Sequence, residues 1–190
     1  LKLVENRVMR KILYLCVALA ACLAGGVSVA ADSLPVIPAQ PTLAKQIFVS
    51  GQVQHPLTLG VPELLEFPSE QVSEVQLICQ SGANKGQLEN LKGVLLRDIL
   101  TKAEVLAPGH NDVKKMIVLV SATDGYTVVF SWSEIFNSPV GDGVIVFFEK
   151  DKAPLADAEG PIALVSRLDT RTGPRHVRWL KSIEVRKVAD

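Results

Sequence analysis

The sequence is poor in cysteine, poor in aromatics and carries no excess of either charge. Three cysteines in 190 residues cannot build a disulfide scaffold or a four-cysteine zinc site. Basic and acidic side chains number 20 each, so no global field draws the chain to nucleic acid. There is no Gly-x-Ser-x-Gly, no P-loop and no dinucleotide fingerprint. His55, His110 and His176 lack metal-ligand spacing, and each reads as a surface histidine. What remains is a composition 48% hydrophobic and 21% charged, which excludes a disordered or collagen-like chain. It suits one domain with a real core.

The first 31 residues differ from the rest. Met9-Arg10-Lys11 opens a basic stretch, Ile12 to Ala24 is apolar, and Gly25 to Ala31 are small residues or valines. Such an order is the grammar of a secretory signal, and the apolar run is too short for a comfortable membrane span. Residues 1–8 read as lying upstream of the native start, with cleavage after Ala30 or Ala31. Leu19-Ala20-Ala21-Cys22 also fits a lipobox, which would place a lipid anchor on Cys22; soluble export to the periplasm or medium is the favoured expectation. Cleavage removes Lys2, Arg7, Arg10, Lys11 and Glu5, leaving 16 basic against 19 acidic side chains. Cys16 and Cys22 leave too, so Cys79 becomes the one cysteine and cannot form an internal disulfide.

Residues 32–45, with three prolines, read as an extended leader, and 46–190 as a single α+β, strand-dominated domain. Ile47, Val49 and Val53 mark a first strand, ended by His55-Pro56. Thr58 to Phe67 fits a helix with Pro62 in its first turn. Val75 to Cys79 alternates as a strand, followed by a polar loop from Gln80 to Lys92. Val94 to Ala103 carries a helical stripe of Leu96, Ile99, Leu100 and Ala103. Asp124-Gly125 between Met116–Val120 and Thr127–Phe130 predicts a tight hairpin with positive φ at both turn residues. Ser131-x-x-Glu134 is a capping box opening a helix through Phe136. Val144 to Phe148 reads as a buried strand with its turn at Lys150-Asp151-Lys152. Strands over 162–165 and 183–188 complete the set.

Two features carry candidate chemistry. Cys79 ends a strand and precedes Gln80-Ser81-Gly82-Ala83-Asn84-Lys85. There it is either a small buried hydrophobe or a thiol open to a metal, with Lys85 favouring the thiolate. Arg167, Arg171, Arg175, His176, Arg178 and Lys181 form a basic run, opposed within it only by Asp169. Arginine forks suit phosphate, although a solvated loop accounts for them equally well.

Several segments in order resemble the oxidoreductase molybdopterin-binding domain, the sulfite-oxidase-like fold. They are the Cys79-Gln80-Ser81-Gly82 strand end, Gly93-Val94-Leu95-Leu96-Arg97-Asp98-Ile99-Leu100, and Asp124-Gly125-Tyr126 with the helix after it. Gly160 to Val165 and the stretch from Arg175 through Trp179 to Val185 follow. The resemblance spans roughly residues 46–188. It implies Cys79 as a molybdenum ligand with Ser81 beside it. It also implies Arg175, Arg178 and Lys181 near the pterin phosphate, and exchange of an oxygen atom and two electrons with a small substrate. It assigns no catalytic residue.

Two functional readings follow. One is an exported oxidoreductase of this domain type, with Cys79 on the metal and a redox partner in the periplasm. The other is a cofactor-free member of the fold that binds an anionic small molecule or a partner protein. Met9-Arg10-Lys11-Ile12 lacks the twin arginine that exports folded, cofactor-loaded proteins. On that ground the molybdopterin cofactor is expected absent rather than present.

Overall fold

The computed structural model describes residues 45–188. The export segment, the lipobox cysteine Cys22 and all of the leader except Lys45 lie outside them. Among the described residues no helix is long and apolar enough to cross a membrane.

Two sheets organise the domain. In the first, β1 (Ile47–Gly51), β2 (Leu57–Leu59), β5 (Met116–Ala122), β6 (Thr127–Ser131) and β11 (Leu180–Lys187) lie in the order β2-β1-β11-β5-β6. Only β1 and β11 run parallel there. In the second, β3 (Glu70–Ile78), β4 (Asn84–Leu95), β7 (Val144–Lys150), β9 (Ala163–Ser166) and β10 (His176–Val177) lie in the order β10-β9-β7-β4-β3. A short β8 (Ala153–Pro154) pairs with the end of β7. Among the described residues three short α-helices connect strands: α1 (Val61–Leu64), α2 (Leu96–Ala103) and α3 (Trp132–Phe136).

The apolar run of β7 is continuous because both of its faces are buried. Val144, Val146 and Phe148 join a core with Val118, Val120, Phe130, Ile183 and Val185 of the first sheet and the α2 stripe. Ile145 and Phe147 point the other way, into a second core with Val72, Val75, Leu88, Leu91 and Val165. Each fully buried aliphatic or aromatic side chain contributes about 1.5–3 kcal/mol over exposure, so β7 is central to both layers.

The second sheet curls until its two edges approach. Thr172, just ahead of β10, is buried (5% exposed). Its hydroxyl donates to the carbonyl of Gln76 and accepts from the amide of Ile78 at 2.9 Å, both on the opposite edge strand β3. One side chain thereby supplies the donor and the acceptor that a neighbouring strand would otherwise provide.

Several expectations hold in detail. The α2 stripe is buried at Leu96, Ile99, Leu100 and Ala103. Ser131 Oγ accepts from the amide of Glu134, and the Glu134 carboxylate accepts from the amide of Ser131, completing the capping box. The turn at Asp151-Lys152 is present, with φ of 53° and 62°.

Others are corrected. The helix expected over Thr58–Phe67 is confined to Val61–Leu64, because Leu57–Leu59 pairs with β1 instead. Val53 lies beyond the first strand in an isolated bridge to Val105. The helix expected from Val94 begins at Leu96, since Val94 and Leu95 still pair with β7. At the hairpin turn Gly125 takes a φ of 90° while Asp124 does not go positive, so the connection is longer than a two-residue turn. The largest miss is the loop expected over Gln80–Lys92, most of which belongs to β4, a strand of twelve residues. Its polar residues pair with an equally polar β3, and Gln76, Asn84 and Gln87 link their side-chain amides across the exposed face. That pairing leaves no apolar alternation to read.

Candidate functional site

Cys79 directly follows β3 and begins the tight turn that leads into β4. Its amide donates to the carbonyl of Ala83 at 3.0 Å, and its carbonyl accepts from the amide of Gly82 at 2.8 Å. Gly82 takes a φ of 92°, which lets the chain reverse there. The cysteine is half-buried and belongs to neither core, which overturns the buried-hydrophobe alternative.

The thiol sits among donors. Ser81 Oγ is 2.8 Å from Cys79 Sγ. That hydroxyl is the largest influence holding the thiol below its ordinary pKa. Partial burial opposes it, and the backbone amides of Ser81 and Ala83 and the charge of Lys85 reinforce it. Such surroundings favour the thiolate, the form that ligates soft metals.

The basic loop arrives beside this turn. A Cβ built on Gly173 would stand 3.0 Å from the carbonyl oxygen of Ile78 and 3.3 Å from Cys79 Cα, so only a glycine passes this close without displacement. A Cβ on Gly82 would stand 3.1 Å from Arg171 Nη2. Gly173 also lines a cleft of ≈170 Å³ with Asp124, Tyr126, His176, Arg178 and Trp179. Tyr126 donates its hydroxyl to the carbonyl of Pro174 at 2.6 Å, tying the β5–β6 turn to the same loop.

The basic run is not one cluster. Arg175 lies over the Phe130 ring and donates to Asp169 at 2.6 Å and to Glu134 at 2.9 Å. Burial works against its charge, but the two carboxylates outweigh it and raise its pKa. Arg175 thus has its charge answered within the protein. Arg167 donates to the carbonyl of Asp142 at 3.2 Å. Arg178 is exposed, its guanidinium 5.1 Å from the Trp179 ring, and reaches the cleft. Lys181 is exposed on β11 and is not among the cleft's lining residues. His176 is not a plain surface residue: its ring stacks near Phe147, and its Nε2 is 2.9 Å from Glu159 Oε2.

Cys79, Ser81, Arg171 and Gly173 are therefore drawn to one turn, and Arg178 shares with Gly173 the cleft on the loop, whereas Arg167, Arg175 and Lys181 are turned to other tasks or to solvent. Thr172 was not marked by sequence reasoning, and Asp124 and Tyr126 entered only as part of a hairpin turn and of the resemblance, not as site residues. Residue type marks neither Thr172 nor Tyr126, because both act through backbone atoms far along the chain.

This is a domain in which a thiol of lowered pKa stands just past a strand end, and its backbone packs against Gly173, a lining residue of a small cleft with cationic and aromatic walls. The chain belongs to the oxidoreductase molybdopterin binding domain family, whose model matches residues 36–190. Among solved structures it is similar to the sulfane dehydrogenase SoxCD from Paracoccus pantotrophus, with a TM-score of 0.55 and 19% identity. That match covers 76% of this chain and 39% of the other. At this identity the likeness concerns the fold. No curated protein matches the sequence.

Proposed function

We propose that this protein is an oxidoreductase domain that holds the molybdopterin cofactor, with Cys79 as the protein ligand to molybdenum. The observation that carries this reading is the placement of Cys79: outside both cores, hydrogen-bonded in a way that favours the thiolate, and within van der Waals reach of Gly173 of the basic loop. A relic cysteine in a cofactor-free fold has no need of such surroundings. The donor set fits the group, since a thiolate suits a soft metal and Arg178 beside the cleft suits a phosphate. When bound, the cofactor supplies two-electron chemistry with oxygen-atom exchange.

The chain's own residues then divide the work. Ser81 lowers the thiol's pKa, Arg171 offers charge beside Gly82, and Arg178 offers it at the cleft that Gly173 lines. Arg175 keeps the loop in place through Asp169 and Glu134 rather than reaching the phosphate. The cofactor-free alternative draws support from that same neutralised Arg175, which leaves fewer cations for a phosphate. Export by the N-terminal segment, and a redox partner in the periplasm, complete the proposal.

Elemental analysis of the full chain, purified from a host with an intact cofactor pathway, tests it. One molybdenum per chain is expected, lost in Cys79→Ser. Metal-free wild-type protein from that host would sink the enzyme reading in favour of a binding protein. The mass of the exported chain reads cleavage after Ala30 or Ala31 against acylation of Cys22.

A further inference from the structure

The edge strand β3 would ordinarily fray at its end, because nothing of the sheet pairs with its outer side. Cys79 follows that end directly. Two backbone groups there, the carbonyl of Gln76 and the amide of Ile78, are both taken by the one hydroxyl of Thr172. Thr172 is itself buried, and both bonds are partly withdrawn from water. Its neighbour Gly173 lies against Ile78 and Cys79, and the carbonyl of Thr172 accepts from the amide of Arg175 at 3.2 Å. Arg175 is in turn braced by Asp169 and Glu134.

We infer that Thr172 is a positioning residue: its hydroxyl latches the end of β3 across the curl of the sheet and so fixes where the Cys79 side chain projects. A threonine suits this task because a hydroxyl both donates and accepts, as a strand backbone does. No other residue type of similar size offers both with one rotor apart from serine. The consequence for the cofactor rests on Cys79 being the ligand. The latch itself does not, and its test reads no metal.

Nuclear magnetic resonance on the full chain, with Thr172→Val and Thr172→Ser, provides that test. In the wild type the Ile78 amide is protected from solvent exchange although it lies on a sheet edge. In Thr172→Val it exchanges about tenfold faster, and the Cys79 Cα and Cβ resonances shift and broaden. Thr172→Ser retains the wild-type exchange and the wild-type Cys79 signals. Exchange of Ile78 at the free-peptide rate in the wild type overturns the proposal without any variant. So do Cys79 resonances in Thr172→Val that superimpose on the wild type, or a Thr172→Ser protein that behaves like the valine variant. Should Thr172→Val fail to fold, the wild-type exchange rate and the serine variant still decide. Loss of molybdenum dependence on Cys79 would refute the proposed function while leaving the latch standing.

Discussion

The two long hairpins of this domain are held by different means. In β5–β6 the strands pair in unbroken register from Ile117↔Ser131 to Ser121↔Thr127, and a turn ending in Gly125 joins them. Its own register and turn lie within sixteen residues, although β5 also pairs with β11 and Tyr126 reaches Pro174. In β3–β4 both strands are polar on their exposed face, the register shifts after Gln76, and the end is secured by Thr172, 94 residues away from Ile78. The hairpin whose register is set locally lends only its turn, Asp124 and Tyr126, to the cleft. The one that depends on distant residues carries the candidate ligand, and this teaches that the position of Cys79 is a property of the whole sheet rather than of its own turn.

That contrast can be broken or sharpened by substitution. The largest expected effect is at Phe147, fully buried in the second core beneath β3–β4. Phe147→Ala should cost about 3–5 kcal/mol in urea unfolding, with amide protection falling first in β3–β4 and last in β5–β6. Next is Arg175→Met, which leaves Asp169 and Glu134 without their cation. A fully buried pair would lose more, but the Arg175 side chain is 20% exposed, so about 2 kcal/mol is expected. The loss should again fall on the Thr172 side of the molecule.

Gly125→Ala probes the other hairpin. A Cβ there would meet nothing, so the cost is purely that of a positive φ, about 1 kcal/mol. Protection should drop in β5–β6 while Ile78 stays protected. Equal loss in both hairpins would mean that they are not independently held.

Acid should act on the Arg175 side as well. Burial pushes the Glu134 carboxyl up, but hydrogen bonds from Ser131 and Arg175 win and hold it below the usual carboxylate range. A group depressed in the folded state stabilises fully above its unfolded pKa and loses that contribution as the pH falls through the folded value. Stability should therefore decline as the pH drops below the ordinary carboxylate range, and Glu134→Gln should make that decline shallower. The smallest effect on stability is expected from Ser81→Ala, which touches only the thiol. In metal-free protein it should move the pH midpoint of Cys79 alkylation upward, toward the ordinary thiol value, with unfolding unchanged.

Much of the scaffold is legible along the chain, because short-range chemistry governs it. The capping box at Ser131, the stripe of α2 and the apolar run of β7 each state their own structure within a few residues. The strand β4 is not legible, since its residues are polar and its partners are β3 and β7 rather than its own alternation. At the site, residue type marked Cys79 and the basic run as candidates. It could not divide the arginines. Arg175 differs from Arg178 only in facing Asp169 and Glu134, the latter 41 residues away in sequence.

By itself, then, the sequence determined the family, the strand-rich class and the one described thiol, all of which are fixed by order and local pattern. A count of three cysteines had excluded a disulfide scaffold or a four-cysteine zinc site, and balanced charge a global field toward nucleic acid; both exclusions stand on composition alone. Only the tertiary structure decided that Cys79 lies outside the core, that Arg175 is answered from within, and that Thr172 closes the sheet. Each of these turns on contacts that local periodicity does not encode: the one hydroxyl of Thr172, the carboxylates of Asp169 and Glu134, or the missing Cβ of Gly173.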